Sequence, residues 1–487
     1  MKNLIVIFSL IILLKGNLLS QNFLTYSFYE NHHKYLEKSI TDRRFKNSAI
    51  VELIKNLDKD IFKYRVAGKS LEGRDIYLIS AGSGDVDVLL WSQMHGDEPT
   101  ATMALFDIFN FFSANDDYNN FRKNILKTLK LHFIPMLNPD GAQNFERRNA
   151  LEIDLNRDAL RLQFPESRTL KAVRDSIKPK FGFNLHDQNT RYSAGRSFQT
   201  ATISFLAPPF NYERDINEVR SNTMKLIVNL YQELSKIIPG HIGRYDDEFE
   251  PRAFGDNFIK WGTSSVLIES GGWKNDSEKQ FVRKLNFTAL LTAFESISNR
   301  YYQNADIEIY NTIPENDKLI FNKLFRNLKY NYNGKHYTVD IGVNQDEKNI
   351  NGAENFYLTS NIEDFGDLSI FYGYEDFNCE GMVLEKGKTY EKIFDNYDEL
   401  KNIDFSSLHK MGYTSIKVKK IPEGINFSKF PINIISNENS YSNEITVDEP
   451  ANFIIKEKNL IKYVILNGFV INLNVQKNIK MNGLLFE

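Results

Sequence analysis

The chain has 487 residues, and 60 lysines and arginines against 63 aspartates and glutamates leave a net charge of −3. Its 42% hydrophobic and 25% charged residues are ordinary globular values that exclude wholesale disorder, and the absence of a basic block excludes a nucleic-acid stripe. The lone Cys379 excludes an intramolecular disulfide, CxxC redox chemistry and a cysteine-rich zinc knuckle, so a transition metal here must be held by histidine and carboxylate.

In chain order, residues 1–20 come first. Lys2 supplies a positive start, Leu4 to Leu14 an apolar run, and Ser20 a small residue at a cleavage position, which together read as a secretory signal. The run closes at Lys15 and is too short to span a bilayer. The expected location is therefore secreted or periplasmic, with no membrane anchor left after cleavage.

From 23 to 305, apolar runs of strand length alternate with helical patterns, which predicts an α/β layer structure. Strands are expected at Asp75–Ser80, Val86–Gln93, Leu131–Leu137, Phe181–Leu185, Thr202–Leu206 and Ser265–Glu269. Several are continuous apolar runs, as in a sheet covered on both faces. One helix is expected from Pro99, with Ala101, Leu105, Ile108, Phe109 and Phe112 on one side, and another over Asn217–Ile237. Residues 306–487 have a different texture and read as a β-rich accessory domain, with strands at Tyr337–Val343, Leu368–Tyr372 and Thr414–Val418 and a helix at Asp317–Leu328.

Ligands of open α/β sheets bind beyond the carboxyl ends of the strands, and four predicted strands end in chemistry. Val86–Gln93 runs into His95 and Glu98, Leu131–Leu137 into Asn138-Pro139-Asp140-Gly141, Phe181–Leu185 into His186-Asp187, and Ser265–Ile268 into Glu269. His95 and Glu98, three apart on a loop entering a helix, and a distant His186 make a two-histidine, one-carboxylate set, the kind that holds a catalytic zinc with one position open. Read alone, His95 and Glu98 also fit a surface pair at a helix start. Glu269 is placed to be a general base, or else is a buried carboxylate tied to the Gly271-Gly272 turn. The stretch from Arg147 to Asp158 offers fork-shaped donors for carboxylates or oxyanions, or else is a solvated charge run. There is no GxSxG elbow and no HExxH. His32, His33 and His336 read as exposed, His132 as core and His241 as a turn residue.

Five blocks in this order, Gly68–Ile76, His95–Glu98, Asn138–Gly141, Arg147–Arg157 and His186 with Glu269, resemble the zinc carboxypeptidases of the carboxypeptidase A type, in particular bacterial secreted members. The resemblance covers residues 40–300. It implies a mixed, mostly parallel central sheet with helices on both faces, one zinc ion per chain, and hydrolysis that releases residues from peptide or protein C-termini. His95, Glu98 and His186 match the family's zinc ligands and Glu269 its general base. Asn156 and Arg157 match the pair that grips the substrate's free carboxylate. Arg147 matches the arginine that stabilises the oxyanion, with Arg148 as the alternative, and Asp154 matches the carboxylate that orients the first zinc histidine. The chain departs from digestive members at Asp187-Gln188, where they carry Ser-Tyr, and only Tyr245 stands near the position of their mobile tyrosine. A zinc amidase or deacylase of the same fold is the rival chemistry, and a catalytically silent peptide-binding module the rival class. Residues Glu449–Gly468 are similar to the closing strands of the small β-domain of amidohydrolase-type enzymes, which favours a β-sandwich-like accessory domain.

Overall fold

A computed structural model describes residues 23–439, 441, 443–475 and 480–487; the segment read as a signal lies outside them. Among the described residues no helix is long and apolar enough to cross a membrane.

Nine strands build the first region. They are β1 (Phe62–Lys69), β2 (Asp75–Ala81), β3 (Val86–Trp91), β4 (Leu129–Ile134), β5 (Phe181–Asp187), β6 (Ser193–Ala194), β7 (Ile203–Leu206), β8 (Ile242–Arg244) and β9 (Ser264–Ser270). All but β6 form one mixed sheet in the order β1-β2-β4-β3-β5-β9-β7-β8. The centre, β4-β3-β5-β9, is parallel, and antiparallel pairs flank it. Strand β3 shows why both faces are covered. Val88 and Leu90 point into the larger core with the helices Thr100–Ser113, Glu218–Leu234 and Gln280–Ser298, whereas Leu89 and Trp91 pack on the other side against Leu170, Val173 and Phe258. Alternation along one strand therefore feeds two apolar layers, and from Val88 to Trp91 the run carries no polar position for solvent.

Local chemistry sets the helix starts. Pro99 stands at the N-cap position of the helix Thr100–Ser113 without a side-chain bond, and the Asn217 side chain accepts the Arg220 amide at the start of Glu218–Leu234. The short helix Pro139–Asn144 has proline in its first turn, and the Asn138 side chain accepts the Gly141 amide at 2.9 Å.

The second region starts with β10 (Asn316–Asp317), which pairs with β6. It continues through β11 (Ile320–Tyr332), β12 (Lys335–Ile350), β13 (Asn355–Gly366), β14 (Tyr372–Asn378), β15 (Val383–Lys386), β16 (Lys388–Phe394), β17 (Tyr413–Val418), β18 (Asn433–Ser436), β19 (Phe453–Glu457), β20 (Leu460–Leu466), β21 (Phe469–Asn472) and β22 (Leu485–Phe486). One sheet runs β13-β12-β11-β15-β19-β20-β21, with β14 on β11. Ile341, Val343 and Ile362 share a core with Phe453, Ile455 and Ile465, so the sheet folds over itself. Between β15 and β19 the chain lays down β16, β17 and β18, which with the later β22 make a separate parallel sheet, β16-β17-β18-β22, with its own core and the helix Phe405–Lys410. This small α/β unit was not anticipated by a purely β reading.

Two expectations fail here. The segment 317–328 is strand, not helix: Phe321 and Leu324 pack with Leu368 while Phe325 and Leu328 pack in the folded sheet, and the register shifts between Phe325 and Leu328. A strand buried on two sides with a bulge loses its period of two, which is what imitated helical spacing. Leu368–Tyr372 is a connection rather than a strand, since Phe371 closes back on the Leu368 carbonyl and only Tyr372 opens β14.

Candidate metal centre and its cleft

The centre forms where the sheet's parallel strands end. His186 and Glu269 are register partners on β5 and β9, and His95 and Glu98 lie on the loop just after β3. Tight backbone packing holds that loop. A Cβ on Gly96 would come 2.0 Å from the carbonyl carbon of Gly141, so only glycine allows the 95–98 loop to rest on the Asn138–Gly141 turn. Asp140 in turn accepts from the Ser70 hydroxyl at 2.6 Å, the Glu72 amide at 2.9 Å and Arg74 at 2.6 Å. The Gly68–Ile76 and Asn138–Gly141 blocks are thus one buttress beneath the centre, a role that their sequence did not disclose.

His95 Nδ1 and His186 Nδ1 lie 2.8 and 2.7 Å from the two oxygens of Glu98 and 3.1 Å from each other. One ligand atom from each residue falls within 4.8 Å of the others, and all three residues are buried. Lone pairs this close repel unless a proton or cation sits among them. The opposite ring nitrogen of His95 is 3.0 Å from Asp154, which fixes the tautomer that turns Nδ1 inward. Two imidazoles and a carboxylate with a supporting second carboxylate fit zinc. Burial opposes ionisation of Glu98, but the two imidazoles outweigh it and hold the carboxyl well below its ordinary range. Burial likewise opposes charge on His95, yet Glu98 and Asp154 push it up to about 9.

The other expected residues gather around this cluster. Glu269 is buried, and burial together with the charge of Glu98 drives its carboxyl well above the usual value. The Gly271 amide is engaged by the Thr202 carbonyl, so that amide is not what ties Glu269 down. Arg147 bridges Glu98 (3.1 Å) and Asp154 (3.0 Å). Arg148 instead donates to the Glu152 carbonyl and is exposed. Asn156 Oδ1 accepts the Phe254 amide at 2.9 Å, leaving the side-chain NH2 to face a ligand, and Arg157 donates to the Asn156 main-chain carbonyl. Together with Tyr245, Asn156, Arg157 and Glu269 line a cavity of about 630 Å³ that includes the two histidines. The charge of Glu269, with burial, raises the Tyr245 hydroxyl.

The departure at 187–188 has a structural role. Asp187 pairs with Lys279 at 3.0 Å and accepts from Thr100 at 2.6 Å, while Gln188 donates to Ala201 and Ser204 and accepts from Asn316 at 2.6 Å. Of the remaining histidines, His132 is core as expected. His32 corrects its reading: it is buried, with Nε2 2.7 Å from Asp107, which also pairs with the fully buried Arg283. A charged partner inside the fold, invisible to local polarity, takes it out of solvent.

Residues 48–197 match the zinc carboxypeptidase family. Carboxypeptidase 2 of Trichophyton rubrum is 30% identical over 146 residues, 28% of this chain and 26% of its own length. Carboxypeptidase SOL1 of Arabidopsis thaliana is 32% identical over 135 residues, 24% of this chain and 28% of its own. The chain thus spans about a quarter of the length of the curated relatives it matches. The solved metallo-carboxypeptidase of Burkholderia cenocepacia aligns with a TM-score of 0.44 at 14% identity, over 53% of this chain and 71% of that one. The zinc carboxypeptidase match takes in His95, Glu98, Arg147, Asp154, Asn156, Arg157 and His186, and ends before Glu269 and the accessory region.

Proposed function

We propose that the protein is a zinc carboxypeptidase that removes C-terminal residues from peptides. The observation that carries this reading is the convergence of His95, Glu98 and His186 beside buried Glu269, in a cavity that also holds Asn156 and Arg157. His95, Glu98 and His186 would hold a zinc ion, which when bound would supply Lewis acidity for the scissile carbonyl and for water. Glu269 accepts the proton of the attacking water and returns it to the departing amine, a task its elevated pKa suits. Arg147 faces the developing oxyanion. Asn156 and Arg157 bind the free carboxylate, with Arg157 steadied by Glu250 at 3.3 Å. Asp154 holds His95 and Arg147 in place. The domain reading that goes with this is a catalytic unit over 23–305 and an accessory unit over 306–487. The signal-like residues 1–20 support export, to the periplasm or beyond the cell.

Metal analysis combined with peptide hydrolysis tests the reading. One zinc per chain and release of the last residue from a free but not an amidated peptide are expected. Glu269→Gln should retain zinc and lose about 10²–10⁴-fold in kcat. Equal cleavage of amidated peptides would remove the carboxylate-binding role, and preferential cleavage of N-acyl amino acids or cell-wall peptides would favour the amidase reading.

A further inference from the structure

A second and larger cavity, about 1040 Å³, opens from the other side of the centre and shares Glu98, Arg147 and Asp187 with the first. Its near wall is the first region, including Arg148, the 187–191 loop that follows His186, and Lys274. Its far wall belongs entirely to the accessory region, with Asn322 and Lys323 on β11, Gln345 on β12, Leu358 on β13 and Tyr374 and Glu375 on β14.

The gap is held open by fastenings at both edges. At one edge β10 pairs with β6, and Asn316 meets Gln188. At the other, Arg43 and Arg44 grip Glu347 at 2.6 and 2.7 Å, and the Arg44 guanidinium lies between the rings of Phe145 and Phe356. Between them Arg191 reaches Asn322 at 3.2 Å and Asp346 at 2.9 Å, and the Tyr374 hydroxyl donates to the Thr190 carbonyl. The loop that leaves a metal ligand is therefore shaped by the accessory region. The space between is lined by hydrogen-bonding groups interspersed with Trp273, Phe356 and Leu358, and it lies at the upper end of the volumes usual for ligand pockets, roughly 300–1,000 Å³.

A hydrolase of C-termini needs room on two sides of the cleaved bond. The smaller cavity, with Asn156 and Arg157, takes the terminal residue; the larger one remains for what precedes it. We infer that the accessory region builds the upstream half of the substrate cleft, so that residues on the amino side of the cleaved bond lie against β11, β12 and β14. The inference rests on the peptidase reading, and it specifies the substrate as an extended peptide of at least three residues rather than a blocked dipeptide.

The test measures binding separately from turnover. A fluorescent pentapeptide and a blocked dipeptide with the same last two residues are titrated into zinc-loaded Glu269→Gln protein, and again with Glu375→Trp or Lys274→Trp added. Both added positions are exposed, one on each wall, and melting curves confirm folding. The pentapeptide should bind at least tenfold more tightly than the dipeptide, and each tryptophan should bring that ratio towards one. Equal binding of the two peptides, or a ratio indifferent to both tryptophans, overturns the inference. Length-dependent binding in a protein whose parent form hydrolyses neither peptide would sustain the cleft and sink the peptidase reading instead.

Discussion

Asp154→Asn isolates the support of the centre from its ligands. Asp154 Oδ1 accepts from His95 Nε2 at 3.0 Å and from the Asn156 amide at 2.9 Å, and Oδ2 from Arg147 at 3.0 Å. An asparagine can satisfy only one side. With its oxygen towards His95, its NH2 confronts the Arg147 guanidinium. With the amide reversed, the NH2 confronts His95 Nε2 and forces the proton onto Nδ1, where the lone pair for the metal is needed. Loss of such a supporting carboxylate typically weakens metal binding 10–100-fold, or about 1.4–2.7 kcal/mol. Competition against a fluorescent zinc chelator near neutral pH reads this directly. The expected order of zinc affinity is parent and Glu269→Gln together, Asp154→Asn weaker by one to two decades, and His186→Ala weaker still. An Asp154→Asn protein that holds zinc as tightly as the parent would refute the reasoning.

Three further outcomes are expected. Asp256 lines the terminal-residue cavity with Asp246, Glu248 and Glu250, and burial pushes its carboxyl up to about 7. It gains charge as pH rises through that value, so the kcat/KM ratio for peptides ending in lysine over glutamine should increase between about pH 6 and 8 and flatten in Asp256→Asn; a ratio flat in the parent would count against it. Glu295 is also raised to about 7 by burial, from an ordinary 4.5. Its folded form resists ionisation, so the penalty is absent below the unfolded value, grows as pH rises, and is complete above about 7. The gap corresponds to at most about 3 kcal/mol. Glu295→Gln, which can still accept the Leu24 amide, should raise the melting temperature near pH 8 and leave it unchanged near pH 4; the reverse pattern would refute the assignment. Glu347→Ala takes the charged partner from Arg44, whose side chain is 6% exposed and keeps neutral neighbours such as Asn349 at 3.1 Å. About 3 kcal/mol is expected, the low end for breaking a buried pair because Glu347 is itself 27% exposed. A melting temperature within a degree of the parent would show that the clamp contributes nothing.

The parallel strands and the residues at their ends were legible because burial on both faces leaves continuous apolar runs, which then stop abruptly at His95, His186 and Glu269. The same burial on two sides misled at Asp317–Leu328, where a bulge in β11 broke the alternation. The buttress under the centre could be seen as motif blocks but not as a function, since Asp140 joins Ser70, Glu72 and Arg74 across more than sixty residues. The accessory wall left no trace at all. Arg191 with Asp346 and Gln188 with Asn316 are polar pairs far apart in sequence, and neither periodicity nor composition records such partnerships.

The ladder between β6 and β10 also orders events in time. His95, Glu98, His186 and Glu269 emerge from the ribosome before Asn316, and Asp346 and Tyr374 emerge later still. At roughly 5–20 residues per second, the roughly 190 residues from His186 to Glu375 take about 10–40 s to synthesise. Until then the loop after His186 has no Tyr374 to rest on, and for about the first 130 of those residues it has no β10 and no Asn316 either. A nascent chain therefore carries His95, Glu98 and His186 well before it carries the residues against which the loop after His186 rests.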